Sequence, residues 1–314
     1  MHRITGTCQN QYELAGTNLL APGTFRRKKI LVRWEISMQM QGAVAIVTGS
    51  GGVIGRSIAR EFARRGARIV CASIDDDDLD ETVRLIGRDG GHALAVPTDV
   101  TDQRQVKRMA KVTLDALGSI DMLVNNAGIF HAIGALWEVD PNTWWTDVTT
   151  NLYGSFLCIH TVLPYMLGRN RGVIINMAGG GYDQPNAGGT GYAASKAGLM
   201  RLTDTLSAEL GEDSGIQVYG FWPGFVRSRM TQMLAETSQG QRWLPHVRHG
   251  LQVHEDHPPQ DVGRAMVELI QISQPALSGR IFTYDDDFEQ VAQQAVQIQQ
   301  YDLRQLRMKK NEQV

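Results

Sequence analysis

Short apolar runs and amphipathic runs alternate along most of this chain. Gly42–Thr48 (GAVAIVT) is continuous, β-branched and followed by glycines, the pattern of a strand buried on both faces. Ile54–Arg65 places apolar residues at helical spacing, and Ala67–Ser73 is apolar again. The alternation then predicts a helix over Asp77–Arg88, a strand over Ala93–Val96, a helix over Asp102–Leu117 and a strand over Ile120–Val124. A long helix within Asn142–Leu167 precedes a strand at Gly172–Met177, and a helix from Tyr192 to Gly211 precedes strands at Ile216–Phe221 and Arg280–Tyr284. Strict alternation implies right-handed βαβ units. The expected fold is α/β, a doubly wound parallel sheet of about seven strands with helices on both faces.

Three segments fall outside the pattern. Residues 228–260 hold Trp243, Pro245, Pro258 and Pro259 with no regular period, and are expected to form a lid over a ligand. The Gln-rich tail, 286–314, puts Phe288, Val291, Ala295 and Ile298 on one helical face and is expected to be a helical extension. Residues 1–40 lack periodicity and carry Arg26-Arg27-Lys28-Lys29. They are expected to be a disordered arm, or to precede a true start at Met38 or Met40. The domain proper is therefore expected over 41–285.

Composition narrows the class. The 314 residues allow one large α/β domain, and a net charge of −2 gives no reason to expect a nucleic-acid or membrane partner. No apolar run is long enough to span a bilayer. Cys8, Cys71 and Cys158 form no metal or redox pattern. Cys71 and Cys158 lie in apolar stretches, as expected of reduced thiols in a cytoplasmic protein. His246, His249, His254 and His257 sit in the lid without a ligand pattern, so no metal is expected and a solvated loop is the reading. Trp144 and Trp145 read as core or subunit interface.

The chemistry concentrates in a few stretches. Tyr192 and Lys196 stand four apart, on one helical face, where an ammonium would lower the phenol's pKa and make it a proton donor and acceptor. Thr48-Gly49-Ser50-Gly51-Gly52-Val53-Ile54-Gly55 links the first strand to the first helix, the setting of a pyrophosphate turn. Four aspartates, Asp75 to Asp78, follow the second strand with no basic residue beside them in sequence. A 2′-phosphate would be repelled there, which favours NAD over NADP, with Asp75 on the ribose. The same aspartates also suit a helix cap. Asp99-Val100 follows the third strand and places a carboxylate near an adenine or at a cap.

From about Gln41 to Tyr284 the chain resembles the short-chain dehydrogenase/reductase family, single-domain Rossmann-fold enzymes. TGSGGVIG, TDV, NNAG, the Asn of TTNLYGSF, YAASK and PGFVRS occur in the family's order and spacing. The resemblance implies that Gly49, Gly52 and Gly55, with Gly51 and Ile54 in the same turn, lie under the pyrophosphate. It implies that Asp99 and Val100 touch adenine and that Asn125, Asn126, Ala127 and Gly128 line the cofactor groove and brace the sheet. Asn151 would bend its helix and hold a water linked to Lys196. Lys196 would bind the nicotinamide ribose, and Tyr192 would be the general acid/base. Pro223, Gly224, Val226 and Ser228 would pass the nicotinamide. The resemblance also implies a homodimer or homotetramer paired through the helices containing Asn151 and Tyr192.

Two departures stand out. The family's middle glycine falls on Val53, so the turn is expected to use Gly51 and Gly52 instead. The family's substrate-binding Ser, about thirteen residues before the Tyr, is replaced by the stretch Ala178-Gly179-Gly180-Gly181-Tyr182. Such a donor is worth about 10²–10³ in rate. Tyr182, Asn186, Thr190 or backbone N–H groups of the glycine run are the candidate substitutes, with Ala178 and Gly179 beside the substrate. The expected activity is NAD-dependent interconversion of a secondary alcohol and a ketone. Two alternatives remain: an epimerase or dehydratase with tightly held NAD, motivated by the TGxxGxxG spacing, and a non-catalytic dinucleotide-binding protein, motivated by the missing Ser.

Overall fold

In the computed structural model, which describes residues 39–307, seven parallel strands form one sheet in the order β3-β2-β1-β4-β5-β6-β7. They are β1 (Val44–Thr48), β2 (Arg68–Ser73), β3 (His92–Pro97), β4 (Met122–Asn125), β5 (Gly172–Met177), β6 (Ile216–Trp222) and β7 (Ile281–Thr283). β1, β4 and β5 are buried throughout, as their largely apolar sequences require, and the polar Thr48, Asn125 and Asn176 near their carboxyl ends are hydrogen-bonded. The expected arm over 1–40 and the tail beyond 307 fall almost wholly outside the described residues.

Helices cover both faces. One face carries α1 (Val53–Arg64) and α10 (Pro259–Gln271), whose Ile58, Phe62, Val262 and Met266 share a core with Val47, Val124 and Tyr219. The other carries α3 (Gln103–Leu117) and α5 (Gly154–Leu167), whose Val106, Met109, Leu157 and Val162 pack on Ile46, Leu123 and Ile174. The chain leaves β1 for one edge through α1, β2 and α2 (Asp76–Arg88) and returns from β3 through α3 to β4 on the other side. The crevice at this reversal, outside the carboxyl ends of β1 and β4, is where such sheets bind ligands.

Three expectations are corrected. The helix expected over Asn142–Leu167 is α4 (Pro141–Val148) joined to α5 through a π-helical turn, Thr149–Tyr153, that contains Asn151. The segment 228–260 is helical: α7 (Arg229–Glu236), α8 (Ser238–Trp243) and α9 (Pro245–Gln252). Each starts on a local device: a Ser228 and Thr231 capping box, a Thr237 cap, and Pro245 in the first turn. The tail breaks at Gln294 into α11 (Phe288–Gln293) and α12 (Ala295–Gln300), which bury Phe288, Val291, Ala295 and Ile298 against the first face. The remaining long helix, α6 (Thr190–Leu210), carries Tyr192 and Lys196.

Candidate active site

A cleft at the sheet's carboxyl edge brings most of the expected site residues together. Its walls include Gly49, Gly51, Gly52, Ile54, Gly55, Asp75, Asn126, Ala127, Gly128, Ala178, Tyr192, Lys196, Pro223 and Ser228. Arg56, Ser73, Asp78, Met177, Arg229 and Met230 also line it and were not expected. Ser73 ends β2 and Arg56 follows the glycine turn, so local sequence places both at the cleft; Arg229 was not legible, because tertiary structure alone brings it there.

The glycine turn is drawn differently from expectation. Gly49 is its left-handed residue, at φ 62°, while Gly52 has φ −74° and Val53 already begins α1. Close packing explains the other glycines. A Cβ on Gly55 would lie 2.4 Å from the Gly49 carbonyl oxygen, and one on Gly51 would lie 2.8 Å from Asp78 Cβ. Gly52 caps α1 without a side chain, so first-turn N–H groups face the cleft with the positive end of the helix dipole. This cradle fits a pyrophosphate. Asn126 closes it from beneath, its Nδ2 donating to Thr48 O at 2.9 Å, and Asn125 braces β4 to β5 by donating to Asn176 Oδ1 at 2.8 Å.

The aspartate run is not free of cations. Asp75 caps α2, one carboxylate oxygen accepting from Asp78 N at 3.0 Å. Asp78 is paired by Arg229 from α7 at 2.5 and 3.0 Å and approached by Arg56 from α1 at 3.5 Å. The expectation that no basic residue stands beside the run is therefore wrong in space, because Arg229 lies 151 residues away along the chain.

Asp99, Val100, Gly224 and Val226 do not line the cleft. Asp99 accepts from the Thr101 N–H and hydroxyl, and Val100 is buried where a Cβ on Gly154 would touch it. Val226 is core. Gly224, at φ 71°, lies under the ring of Tyr284. His257 is stacked on that ring at 3.6 Å, and its Nε2 meets Pro223 O at 2.8 Å. His257 thus fastens the Pro223 turn and is not a solvated loop residue.

Tyr192 is only 8% exposed and stacks face to face on Phe130, with centroids 4.4 Å apart. Leu234, Leu244 and Val247 of the α7–α9 segment complete this apolar cluster, with Met230, Met233 and Trp243 at its edge. Lys196 Nζ donates to Met177 O at 2.9 Å and lies 5.6 Å from the Tyr192 ring centroid. Burial lowers the Lys196 ammonium to about 8. The phenol moves opposite to expectation. Burial, and secondarily the charge of Asp147, push it above its usual value. Lys196 is turned to a carbonyl, so loss of solvent dominates.

Asn151 is wholly buried. Its Oδ1 accepts from Ile129 N at 2.8 Å, while its Nδ2 donates to Ile129 O at 2.9 Å and Ser195 Oγ at 3.0 Å. A Cβ on Gly128 would lie 3.1 Å from Asn151 Oδ1 and 3.5 Å from Lys196 Nζ, so this glycine keeps the space between them open.

The replaced hydroxyl position is Gly179, where a Cβ would fall 2.2 Å from the Tyr192 hydroxyl. Three of the expected substitutes are engaged elsewhere. Thr190 Oγ1 accepts from Trp144 Nε1 at 3.1 Å, and Tyr182 packs on the cluster of Ala178, Leu199, Met200 and Ile281. Asn186 Nδ2 is directed to Gly180 O at 3.5 Å. Gly179, Tyr182 and Asn186 do not line the cleft.

The comparisons with known proteins agree with this architecture. The short chain dehydrogenase profile matches residues 43–239. A (2S)-[(R)-hydroxy(phenyl)methyl]succinyl-CoA dehydrogenase subunit of Thauera aromatica is 37% identical over 64% of this chain and 80% of its own. A 3-oxoacyl-[acyl-carrier-protein] reductase of Thermotoga maritima is 30% identical over 79% of this chain and 98% of its own. The crystal structure of an actinorhodin polyketide ketoreductase with NADPH superposes with a TM-score of 0.70 at 28% identity, covering 79% of this chain and 97% of that one. A Rossmann-type sheet, a glycine cradle and a Tyr–Lys pair in one cleft, with a profile match over most of the domain, show that this chain belongs to the short-chain dehydrogenase/reductase family of oxidoreductases.

Proposed function

We propose that the protein interconverts a secondary alcohol and a ketone by hydride transfer, using NAD, with Tyr192 as general acid/base. One observation carries the reading: a single cleft has the glycine cradle at one end and Tyr192 and Lys196 at the other. When bound, the nicotinamide would supply or accept the hydride. Tyr192 gives its proton to the ketone oxygen during reduction and takes it back during oxidation. Lys196, with its proton held near neutrality, reprotonates the phenol and would hold the ribose hydroxyls of a bound cofactor. Asn151 anchors the far side of the gap beside Gly128, through which a relay to solvent would pass.

Of the stretch that replaces the family's Ser only Ala178 lines the cleft, so the substrate oxygen is oriented by the Tyr192 hydroxyl itself. Phe130, Met230 and Leu234 around the phenol favour a substrate with an apolar body. Helices α7–α9 act as its lid. Asp75 keeps one carboxylate oxygen for ribose hydroxyls, and Arg229 is held by Asp78, so NAD remains favoured over NADP. Exposed Trp145, Tyr153 and Phe156 on α4, the π-turn and α5 support pairing of subunits through these helices.

A panel of secondary alcohols and ketones, read as absorbance of the reduced cofactor, tests this. The expected result is turnover with kcat/KM at least about tenfold higher for NAD than for NADP. A clear NADP preference would mean that Arg56 and Arg229 leave Asp78 for the 2′-phosphate. Protein that carries NAD through gel filtration and forms no NADH would replace the redox reading by that of an epimerase.

A further inference from the structure

Asp147 is a wholly buried carboxylate on α4, one helical turn before Asn151, and the reaction described above gives it no part. Its Oδ1 accepts from His131 N at 2.9 Å and its Oδ2 from Ala132 N at 3.0 Å. Burial pushes the Asp147 carboxyl above its usual range, and the two N–H groups oppose that push by favouring the ionised form, whose two oxygens both accept. Asn151 holds Ile129 by its N–H and its carbonyl. Two side chains four apart on one helix face therefore clamp the backbone on both sides of Phe130. The Phe130 ring has no room elsewhere: a Cβ on Gly189 would lie 2.5 Å from its Cζ, and its face lies on Tyr192 with 8° between the planes.

We propose that Asp147 is a positioning residue for proton transfer: it fixes the Phe130 platform on which the Tyr192 ring lies and keeps a negative charge buried near the phenol. The proposal rests on Tyr192 being the general acid/base. An apolar residue at 147 would leave two adjacent loop N–H groups without acceptors, and Asn would satisfy one of them. The carboxylate satisfies both and adds a charge that disfavours phenolate. Burial and this charge, in that order, act together on Tyr192. The opposing group is Lys196 on α6. His131 faces Asp147 from the loop after β4, and Arg229, the cation that α7 brings to the cleft, is paired with Asp78. The balance keeps the phenol protonated, the form that donates to a ketone.

The test is the alkaline limb of the phenol's own titration, read as phenolate absorbance against a Tyr192→Phe background, because the fall of kcat/KM would meet the Lys196 ammonium, at about 8, first. Asp147→Asn removes the charge at nearly constant volume. It is expected to move that limb to lower pH by about one unit, a roughly tenfold higher phenolate fraction at a pH below both midpoints. Phe130→Leu keeps the charge and removes the platform, so kcat should drop about tenfold with the limb in place. A limb that Asp147→Asn leaves unmoved overturns the electrostatic part, even if kcat falls. A Phe130→Leu enzyme with unchanged kcat overturns the positioning part, and it serves alone if Asp147→Asn does not fold. Tyr192→Phe separates the two levels. If it remains active, the proton-transfer reading itself fails; if it is inactive while the other two variants behave as wild type, only the role of Asp147 fails.

Discussion

A side chain at position 179 and the Tyr192 phenol compete for one place. The Cβ of any residue there would lie 2.2 Å from the phenol oxygen, and the ring is held against Phe130 with little freedom to retreat. Gly179→Ser, which restores the family's hydroxyl, should therefore lower turnover by about tenfold or more, because it displaces the proton donor. Steady-state kcat decides; a gain in kcat would mean that the phenol shifts freely and that the site lacks only the hydroxyl. Tyr192, Lys196 and Asn151 were legible because the family spacing is local. Asp147 was not, since its partners, His131 and Ala132, are reached across a loop and nothing in the run Asn142-Thr143-Trp144-Trp145-Thr146 before it distinguishes a buried carboxylate from a solvated one. Arg229 was invisible for the same reason, and its absence from the sequence argument made the aspartate run look unopposed.

At the scale of elements, strands were readable because each is an apolar run closed by glycine or a polar turn. Gly172–Met177 matches its expected bounds, and the others differ by a few residues at their ends. Helices α7, α8 and α9 were not readable. None is longer than eight residues, too short for a period to emerge, and their caps rather than their apolar faces define them. The π-turn at Asn151 was also silent, since one extra residue in a turn leaves no compositional mark. The tail illustrates a face that was legible while its anchors were not. Arg304 pairs with Asp286 at 2.7 and 2.8 Å, and the Arg304 carbonyl accepts from the N–H of Ile281 on β7, the edge strand. Asp286 also accepts from Thr283 N at 2.7 Å. Asp286→Ala should thus cost about 1–2 kcal/mol, seen as a lower urea midpoint. An unchanged midpoint would mean that the tail's apolar residues hold it without this pair.

For the whole molecule, the topology decides where chemistry is possible. The reversal between β1 and β4 opens a crevice, α1 aims its uncapped N-terminus into it, and α6 carries Tyr192 and Lys196 to its far end. The α7–α9 segment then covers the phenol with apolar side chains, and Arg229 at its start reaches Asp78 on α2. Substrate identity is not legible at any scale below this one, because the wall around Tyr192 is assembled from α4–α6, the loop after β4 and the α7–α9 segment together. The claim joining these parts is that the Tyr192 hydroxyl transfers the proton while a nicotinamide exchanges the hydride. Tyr192→Phe removes that one oxygen and keeps the ring that stacks on Phe130. Turnover of the best alcohol or ketone, measured beside the dissociation constant for NAD, should fall by at least about 10²-fold with cofactor affinity unchanged. Wild-type turnover in Tyr192→Phe would contradict the account.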